Sequence, residues 1–420
     1  MYDVLVIGWG KAGKTIALKA AKQHKKVAII EKDPSMFGGT CINRACLPTK
    51  SLEKSAKIVA QAKKMGITVD EDQAFLEAMA KKDAMVHKLN QKSYSLLDVE
   101  ETADIYIGEA KFLNNQEVWV NGEVLTAKNM IINTGSTPRR IGNYKTSEEI
   151  LNLTKRPEKL LIVGAGFIGL EFASIFNNFG TAVTVSQIDD QFLPMEDEED
   201  SKRVLEVLQN RGITFKFNQT EINDEGFDEV LVSIGRVPNT KNLGLENTDI
   251  VLGERGEIVV DENLHTSVDH IYAVGDVKGG AFFTYISLDD SRIVLPQIMG
   301  EKNTRTTAYR EGFATATFID PAYARVGLNE KQAQAKGIHY TKHQVETMAI
   351  PKAHVIGEPA GFSKILVDDE GYIIGATLYH QEAHEMINTL AIAIKEGIKF
   401  DTIKNFIYTH PTFSESLNDF

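Results

Sequence analysis

The sequence predicts an α/β protein built from two repeated halves and a C-terminal α+β domain, and three observations carry that prediction. The continuous apolar run Val4-Leu5-Val6-Ile7 leads through a glycine turn and a helical pattern into a second run, Val27-Ala28-Ile29-Ile30. The same order recurs with Leu160-Leu161-Ile162-Val163 and Ala182-Val183-Thr184-Val185. From about residue 309 short strands and two helical stretches replace that pattern. Unbroken apolar runs suit strands buried on both faces, which pair in parallel through a crossover helix. Each half therefore reads as a βαβ unit and the repetition as a duplicated architecture.

In the first half the turn is Gly8-Trp9-Gly10-Lys11-Ala12-Gly13, followed by a helical pattern through Ile16, Ala17, Ala20 and Ala21, and Glu31 closes the second strand. Gly8, Gly10 and Gly13 let the backbone approach a pyrophosphate at a helix N-terminus, and the Glu31 carboxylate can take the ribose hydroxyls. The first half is therefore a Rossmann-like dinucleotide site. Residues 51–100 lack turn clusters and are rich in Ala, Lys, Leu and Met, which predicts helices over 51–64 and 73–96 with Met65, Met79 and Met85 in the core. Short strands are expected at 104–107, 110–113, 117–120 and 130–132, with Asn121-Gly122 a hairpin-type turn.

The second half repeats the turn as Gly164-Ala165-Gly166-Phe167-Ile168-Gly169. A nicotinamide dehydrogenase needs one dinucleotide site, so two in one chain point to a relay between a nicotinamide and a flavin. The second strand of this half ends in Ser186-Gln187-Ile188-Asp189. It offers neither an acid at position 187 to select NADH nor arginines to grip a 2′-phosphate, so the expected donor is NAD(P)H. Further on, strands are expected at 313–318, 323–327, 362–368 and 372–379, and helices at 382–396 and 401–406.

Only two cysteines occur among 420 residues, both in Gly38-Gly39-Thr40-Cys41-Ile42-Asn43-Arg44-Ala45-Cys46-Leu47-Pro48-Thr49-Lys50. On a regular helix five residues span roughly 7.5 Å along the axis, beyond the roughly 7 Å that a disulfide bridges. Sulfurs that meet here need a distorted turn, which the paired glycines and Pro48 favour. Cys41 is placed at a helix start, where the amide dipole favours a thiolate. A structural zinc site takes four ligands, no histidine lies in this segment, and so short a loop gains little chain entropy from a disulfide. The reading that remains is a redox-active dithiol.

This run resembles the signature of the FAD-dependent pyridine nucleotide-disulfide oxidoreductases with a Cys-x4-Cys centre, the family of glutathione, lipoamide and mercuric reductases. Arg44-Ala45 departs from it, since relatives carry a glycine before the second cysteine. Four other segments are similar to the family's: Ile132-Asn133-Thr134-Gly135, Ser233-Ile234-Gly235-Arg236, Ile271-Tyr272-Ala273-Val274-Gly275-Asp276, and His410-Pro411-Thr412 with Glu415. The stretch from Gly279 to Arg292, with Asp289-Asp290, resembles a narrower branch. These are the bacterial reactive-chlorine-resistance flavoproteins, described as hypothiocyanous acid reductases and also as Cu(II) or Hg(II) reductases.

The resemblance implies FAD held by Gly8, Gly10, Gly13, Glu31, Gly39, Thr40, Lys50, Thr134, Gly135, Gly275 and Asp276, and NAD(P)H held by Gly164, Gly166, Gly169, Glu171, Gln187 and Gly235. It implies a Cys41–Cys46 redox disulfide, with Cys46 nearer the flavin and Cys41 the exposed nucleophile, and a Lys50–Glu171 pair beside the ring. It further implies that His410, oriented by Glu415, reaches the cysteines of the other subunit, so that a homodimer shares each active site. The FAD domain is expected at 1–145 and 260–305, the NAD(P)H domain at 146–259 and the dimerisation domain at 306–420. The expected acceptor is a small-molecule oxidant, hypothiocyanous acid foremost, with dihydrolipoamide dehydrogenase and Cu(II)/Hg(II) reductase as alternatives. His384 is expected at the interface, His265 and His270 at the surface, and no metal site is expected.

Composition bounds these expectations. Hydrophobic residues at 43% and charged residues at 25% describe a soluble globular protein, and the length exceeds one ordinary core. A net charge of −12 argues against nucleic acid or an anionic membrane as partner. No apolar stretch reaches the length of a membrane span and no basic leader precedes the first strand, so a cytoplasmic location is expected. A docking subunit and a non-catalytic redox sensor are the readings from other classes. The complete Cys, His, Glu and Lys set weighs against the sensor.

Overall fold

The structure, a computed structural model, describes residues 1–302 and 304–420. The first βαβ unit consists of β1 (Tyr2–Ile7), α1 (Lys11–Ala21) and β2 (Val27–Glu31), with Val4 opposite Val27 in a parallel pair. The face that α1 buries is Ala12, Gly13, Ile16, Ala17, Ala20 and Ala21, so small residues let the helix lie close on the sheet. The cysteine segment follows as α2 (Gly39–Asn43) and α3 (Cys46–Lys64), and then comes α4 (Glu71–Asp98), whose N-cap Asp70 accepts from Gln73 N at 3.0 Å. The helix expected from residue 51 begins at Cys46 because Pro48 lies in its first turn, where a missing N–H leaves no bond unmade. Met79 is buried and Met85 half-buried, but Met65 is 77% exposed. It caps the end of α3, where Gly66 turns the chain away from the core, which corrects the expectation that Met65 is core.

Four further strands join the first sheet: β3 (Ala103–Ile107), β4 (Lys111–Phe112), β5 (Glu117–Val120) and β6 (Glu123–Ile132). Its order is β3-β2-β1-β6-β5-β4. The strand expected at 130–132 is the end of the longer β6, which the Asn121-Gly122 turn joins to β5. A linking stretch holds β7 (Ser136–Pro138) and β8 (Lys145–Thr146). The second βαβ unit is β9 (Lys159–Val163), α5 (Phe167–Asn178) and β10 (Ala182–Ser186), followed by α6 (Glu198–Asn210), β11 (Thr214–Lys216), β12 (Glu229–Val232) and β13 (Arg236–Pro238). The order β11-β10-β9-β12-β8 makes a second parallel sheet, and β7 with β13 forms an antiparallel ribbon between the two sheets.

The chain then returns to the first sheet. There β14 (Ile271–Ala273) pairs in parallel with β6, and α7 (Thr284–Met299) buries Ile293 and Val294 in the cluster that holds Ile16 and Ala17 of α1. A third, antiparallel sheet follows from β15 (Thr315–Thr317), β16 (Tyr323–Gly327), α8 (Glu330–Ala335), β17 (Thr341–Glu346), α9 (Pro351–Val355), β18 (Phe362–Val367) and β19 (Ile373–Tyr379), in the order β15-β16-β19-β18-β17. Across it lies α10 (Ala383–Lys395), burying Met386, Ile387 and Leu390, each worth about 1.5–3 kcal/mol. The short α11 (Phe400–Lys404) then leads to the C-terminal segment. Among the described residues no helix is long and apolar enough to cross a membrane.

Candidate active site

Cys41 and Cys46 sit on either side of a break between two helices. The single turn of α2 carries Cys41, the path leaves helical geometry at Arg44 and Ala45, and Cys46 is the first residue of the 19-residue α3. This is the distorted turn that the spacing requires. Both residues are half-buried free thiols, hydrogen-bonded to each other. Cys41 lies in the first turn of the short α2, as expected, and Cys46 opens the long α3, so both sulfurs stand at helix starts. The hydrogen bond from Cys41 lowers the Cys46 thiol to about 6 against the pull of burial, helped by the Thr284 hydroxyl and by Lys50. The same hydrogen bond, with burial, pushes the Cys41 thiol up. The two opposed shifts leave Cys46 the more acidic thiol of the pair.

One turn along α3 from Cys46, Lys50 Nζ lies 2.6 Å from Glu171 Oε2. The other carboxylate oxygen accepts from Phe318 N at 2.9 Å, and Lys50 Nζ stands 4.2 Å above the Phe318 ring. Glu171 comes from α5, so this pair ties the second nucleotide unit to the cysteine helix. Thr284, at the first turn of α7, places its hydroxyl 3.3 Å from Cys46 Sγ. Local reading of the sequence missed Thr284, because its only local signal is a hydroxyl at a helix start and the partner sulfur is 238 residues away.

The first glycine turn fits a dinucleotide. Gly8 adopts φ +97°, and a Cβ there would meet Asn133 O at 2.4 Å. A Cβ on Gly39 would lie 2.8 Å from Gly10 Cα, so the cysteine segment starts hard against the turn. Asn133 is a second residue missed from sequence: its Oδ1 accepts from Gly13 N at 2.8 Å and its Nδ2 donates to Val274 O at 2.8 Å, which joins the turn to the strand before Gly275. Glu31 accepts from Trp9 N at 3.0 Å, and burial raises its carboxyl. Asp276 accepts from Ser136 Oγ at 2.5 Å, Gly275 N donates to Asp290 Oδ2 at 2.6 Å, and Thr134 Oγ1 donates to Asn239 O at 2.7 Å.

A cavity of about 730 Å³ runs from this turn to the sulfurs, within the range expected of a cofactor site. Gly8, Gly10, Glu31, Gly39, Thr40, Cys41, Cys46, Lys50, Thr134, Gly135, Glu171, Gly275 and Asp276 line it, and so does His384. Gly13 lies beneath it, buried against Val6 and Asn133. The second turn borders the cavity through Phe167 and Ile168, whereas Gly164, Gly166, Gly169, Gln187 and Gly235 do not line it. There Gln187 Oε1 accepts from Ala165 N at 3.0 Å, the counterpart of Glu31 with Trp9, while Gln187 Nε2 donates to Asp189 Oδ2 at 2.8 Å.

His410 also stands apart from the sulfurs of its own chain. Its Nδ1 is 2.6 Å from Glu415 Oε2, its side chain is 69% exposed, and it does not line the cavity. His265 hydrogen-bonds Tyr272 at 3.1 Å and His270 bonds Asn115 O at 2.8 Å, both structural contacts. No cluster of His, Cys, Asp and Glu suited to a metal ion occurs among the described residues.

Two family matches span almost the whole chain: pyridine nucleotide-disulphide oxidoreductase over residues 2–312, and the dimerisation domain of the same family over 313–419. The chain belongs to the pyridine nucleotide-disulphide oxidoreductase family. Within that family it is 37% identical to the probable pyridine nucleotide-disulfide oxidoreductase RclA of Escherichia coli K12, across all of this chain and 98% of RclA. It is 31% identical to a mercuric reductase of Staphylococcus aureus over 99% of this chain and 81% of that protein. A dihydrolipoyl dehydrogenase 2 of Haloarcula marismortui is 30% identical over 99% of this chain and 95% of its own length. The solved structure described as the HOCl-induced flavoprotein disulfide reductase RclA from Escherichia coli superposes with a TM-score of 0.92 at 36% identity, covering 100% of this chain and 99% of that one. A Cu(II) complex of the same E. coli protein superposes at 0.91 and 34%, covering 100% and 98%. The protein is thus a flavin disulfide oxidoreductase of the RclA type, an FAD-containing member of a family that uses NAD(P)H, and it carries the family's dimerisation domain.

Proposed function

We propose that this oxidoreductase reduces a small oxidant, hypothiocyanous acid foremost, with electrons from NAD(P)H that pass through Cys41 and Cys46. The observation that carries the reading is the sulfur pair itself: two hydrogen-bonded thiols of opposed acidity, lining one cavity with the Lys50–Glu171 pair and the first dinucleotide turn. The likeness to a reductase induced by HOCl, a small electrophilic oxidant, supports an acceptor of that class, to which hypothiocyanous acid belongs. The residues of the first turn, with Thr40, Lys50, Thr134, Gly135 and Asp276, would hold FAD, which would supply two-electron transfer between NAD(P)H and the disulfide. NAD(P)H takes the second turn, where Gln187 holds the backbone at Ala165. In this reading residues 1–145 with 260–305 form the FAD domain, 146–259 the NAD(P)H domain and 306–420 the interface of a cytoplasmic homodimer.

The steps on the protein's own groups balance as follows. Cys46 is the more acidic thiol and burial disfavours the Cys41 thiolate, so Cys41 needs a base before it can attack. His410 of the partner subunit takes that proton, with Glu415 fixing its imidazole. The Cys41 thiolate attacks the sulfur of hypothiocyanous acid, an S–S bond forms as the S–O bond breaks, and the proton returns so that the oxygen leaves as water. Cys46 then attacks Cys41 Sγ, thiocyanate leaves, and the disulfide closes until two electrons from NAD(P)H reopen it. The Cu(II) complex of RclA favours a second reading, reduction of Cu(II) by the same dithiol.

Steady-state NAD(P)H oxidation with hypothiocyanite, lipoamide, oxidised glutathione and Cu(II) in parallel tests the proposal. Hypothiocyanite is expected to give the highest kcat/KM. Comparable turnover of lipoamide would make the protein a dihydrolipoamide dehydrogenase instead.

A further inference from the structure

Three aromatic rings close on one another beside the sulfurs. Phe283 and Tyr285 flank Thr284, whose hydroxyl touches Cys46, so the start of α7 brings both rings to the dithiol. The two rings stack with centroids 5.0 Å apart and 11° between planes, and Phe313 meets them at steep angles from 6.1 and 6.0 Å. Stacked and edge-on contacts are favoured aromatic geometries, and together they hold the rings as one unit. The Tyr285 hydroxyl donates to Ala314 O at 3.0 Å, pinning α7 to the segment that enters β15. Phe283 and Tyr285 line the cavity with Cys41 and Cys46, yet Tyr285 is 44% and Phe313 37% exposed. Phe283 and Tyr285, open to the cavity and braced by Phe313, add little to a core; they shape an opening.

We infer that Phe283, Tyr285 and Phe313 form an aromatic collar that selects the electron acceptor by size, admitting oxidants of a few heavy atoms to Cys41 and holding back disulfides carried on a bulky arm. The inference rests on the small-oxidant reading and gives it a structural cause. Residues 281–285 and 313–314 carry no charged side chain, so a peptide disulfide finds nothing there to pair with its carboxylates. The arm of lipoamide must displace a ring that two neighbours and a hydrogen bond hold in place. A small neutral oxidant needs neither.

Size selection can be read without any acceptor. The reduced protein is labelled with iodoacetamide and with a fluorescein maleimide, and each rate of first alkylation at the Cys41–Cys46 pair, followed by mass spectrometry, is normalised to free N-acetylcysteine. The wild type is expected to favour the small reagent by at least about tenfold, the scale on which pocket shape discriminates. Tyr285→Ala and Phe313→Ala are expected to lose most of that preference, with Phe313→Leu used if the alanine variant does not fold, while Tyr285→Phe, which keeps the ring, retains it. In the alanine variants the ratio of kcat/KM for lipoamide to that for hypothiocyanite is expected to rise by at least about tenfold. Folded, FAD-loaded variants that keep both the wild-type labelling preference and the wild-type ratio overturn the collar. Loss of the labelling preference in a protein whose wild type consumes no hypothiocyanite leaves the collar standing and removes the small-oxidant reading.

Discussion

A hydrogen-bonded pair of thiols divides its acidity unequally, and the neighbours decide which sulfur keeps the charge. Cys46 has Cys41 as donor, Thr284 Oγ1 at 3.3 Å, Lys50 one turn away and the opening amides of α3; Cys41 has burial against it. Removing the hydroxyl by Thr284→Ala is therefore expected to raise the Cys46 thiol by about one unit, equivalent to about 1.4 kcal/mol of thiolate stabilisation. The measurement is the pH dependence of iodoacetamide alkylation in a Cys41→Ser background, where one thiol titrates. The midpoint of alkylation should lie about one unit higher without the Thr284 hydroxyl than with it. An unmoved midpoint removes Thr284 from the site. What was legible in the sequence at this scale was whatever short spacing encodes, such as Lys50 one turn from Cys46 or Glu31 after the glycine turn. Thr284 and Asn133 act across 238 and 120 residues respectively, and no local pattern marks such contacts.

Elements follow the same division. The apolar runs that became β1, β2, β9 and β10 are buried on both faces and could be read directly, whereas α6 begins in the acidic run Glu196 to Asp200, which gives no local sign of burial. In the fold that run meets the third sheet. Lys364 Nζ of β18 lies 2.6 Å from Asp197, 2.6 Å from Asp200 and 3.0 Å from Glu330. Asp197 also accepts from Glu330 N and Lys331 N at 3.1 and 2.9 Å, so one carboxylate caps α8 while its own residue begins α6. One ammonium cannot satisfy three carboxylates, and Asp200 is the poorly served one. Burial, with Asp197 and Glu330 as like charges, pushes its carboxyl up to about 6, although Lys364 opposes the shift. Because the folded value lies above the unfolded one, this group contributes stability at low pH that is lost as pH rises through about 6. Asp200→Asn should therefore be more stable than the wild type by on the order of 1–3 kcal/mol at pH 7.5 and nearly equal to it at pH 4. Urea denaturation of both proteins at the two pH values decides it. A variant less stable than the wild type at pH 7.5 would show that Lys364 needs the Asp200 charge.

On the scale of the whole molecule, one chain gathers the two sulfurs, Lys50, Glu171 and Thr284 at one cavity, while His410 stands outside it. His410 and Glu415 form their pair at 2.6 Å, but the imidazole is 69% exposed and outside the cavity of its own sulfurs. Beside it Phe406 is 60% and Ile407 90% exposed, an apolar surface that a partner subunit would cover and that suits the family's dimerisation domain. If each site takes its sulfurs from one subunit and its histidine from the other, two inactive variants complement each other. In a dimer of one Cys41→Ser chain and one His410→Ala chain, one site joins the intact sulfurs to the intact histidine and the other has neither. The parent homodimers should retain at most about one part in a hundred of wild-type turnover, the typical loss of an acid–base group. The purified mixed dimer, isolated through two different affinity tags, should recover about half, because symmetry leaves one complete site in each dimer. Recovery that does not exceed the parents would place His410 and Cys41 of the same chain in one site, which would require the C-terminal segment to swing from its present position onto its own dithiol. Recovery near half fixes the dimer as the smallest catalytic unit and explains why the His410 imidazole is presented to solvent in the isolated chain.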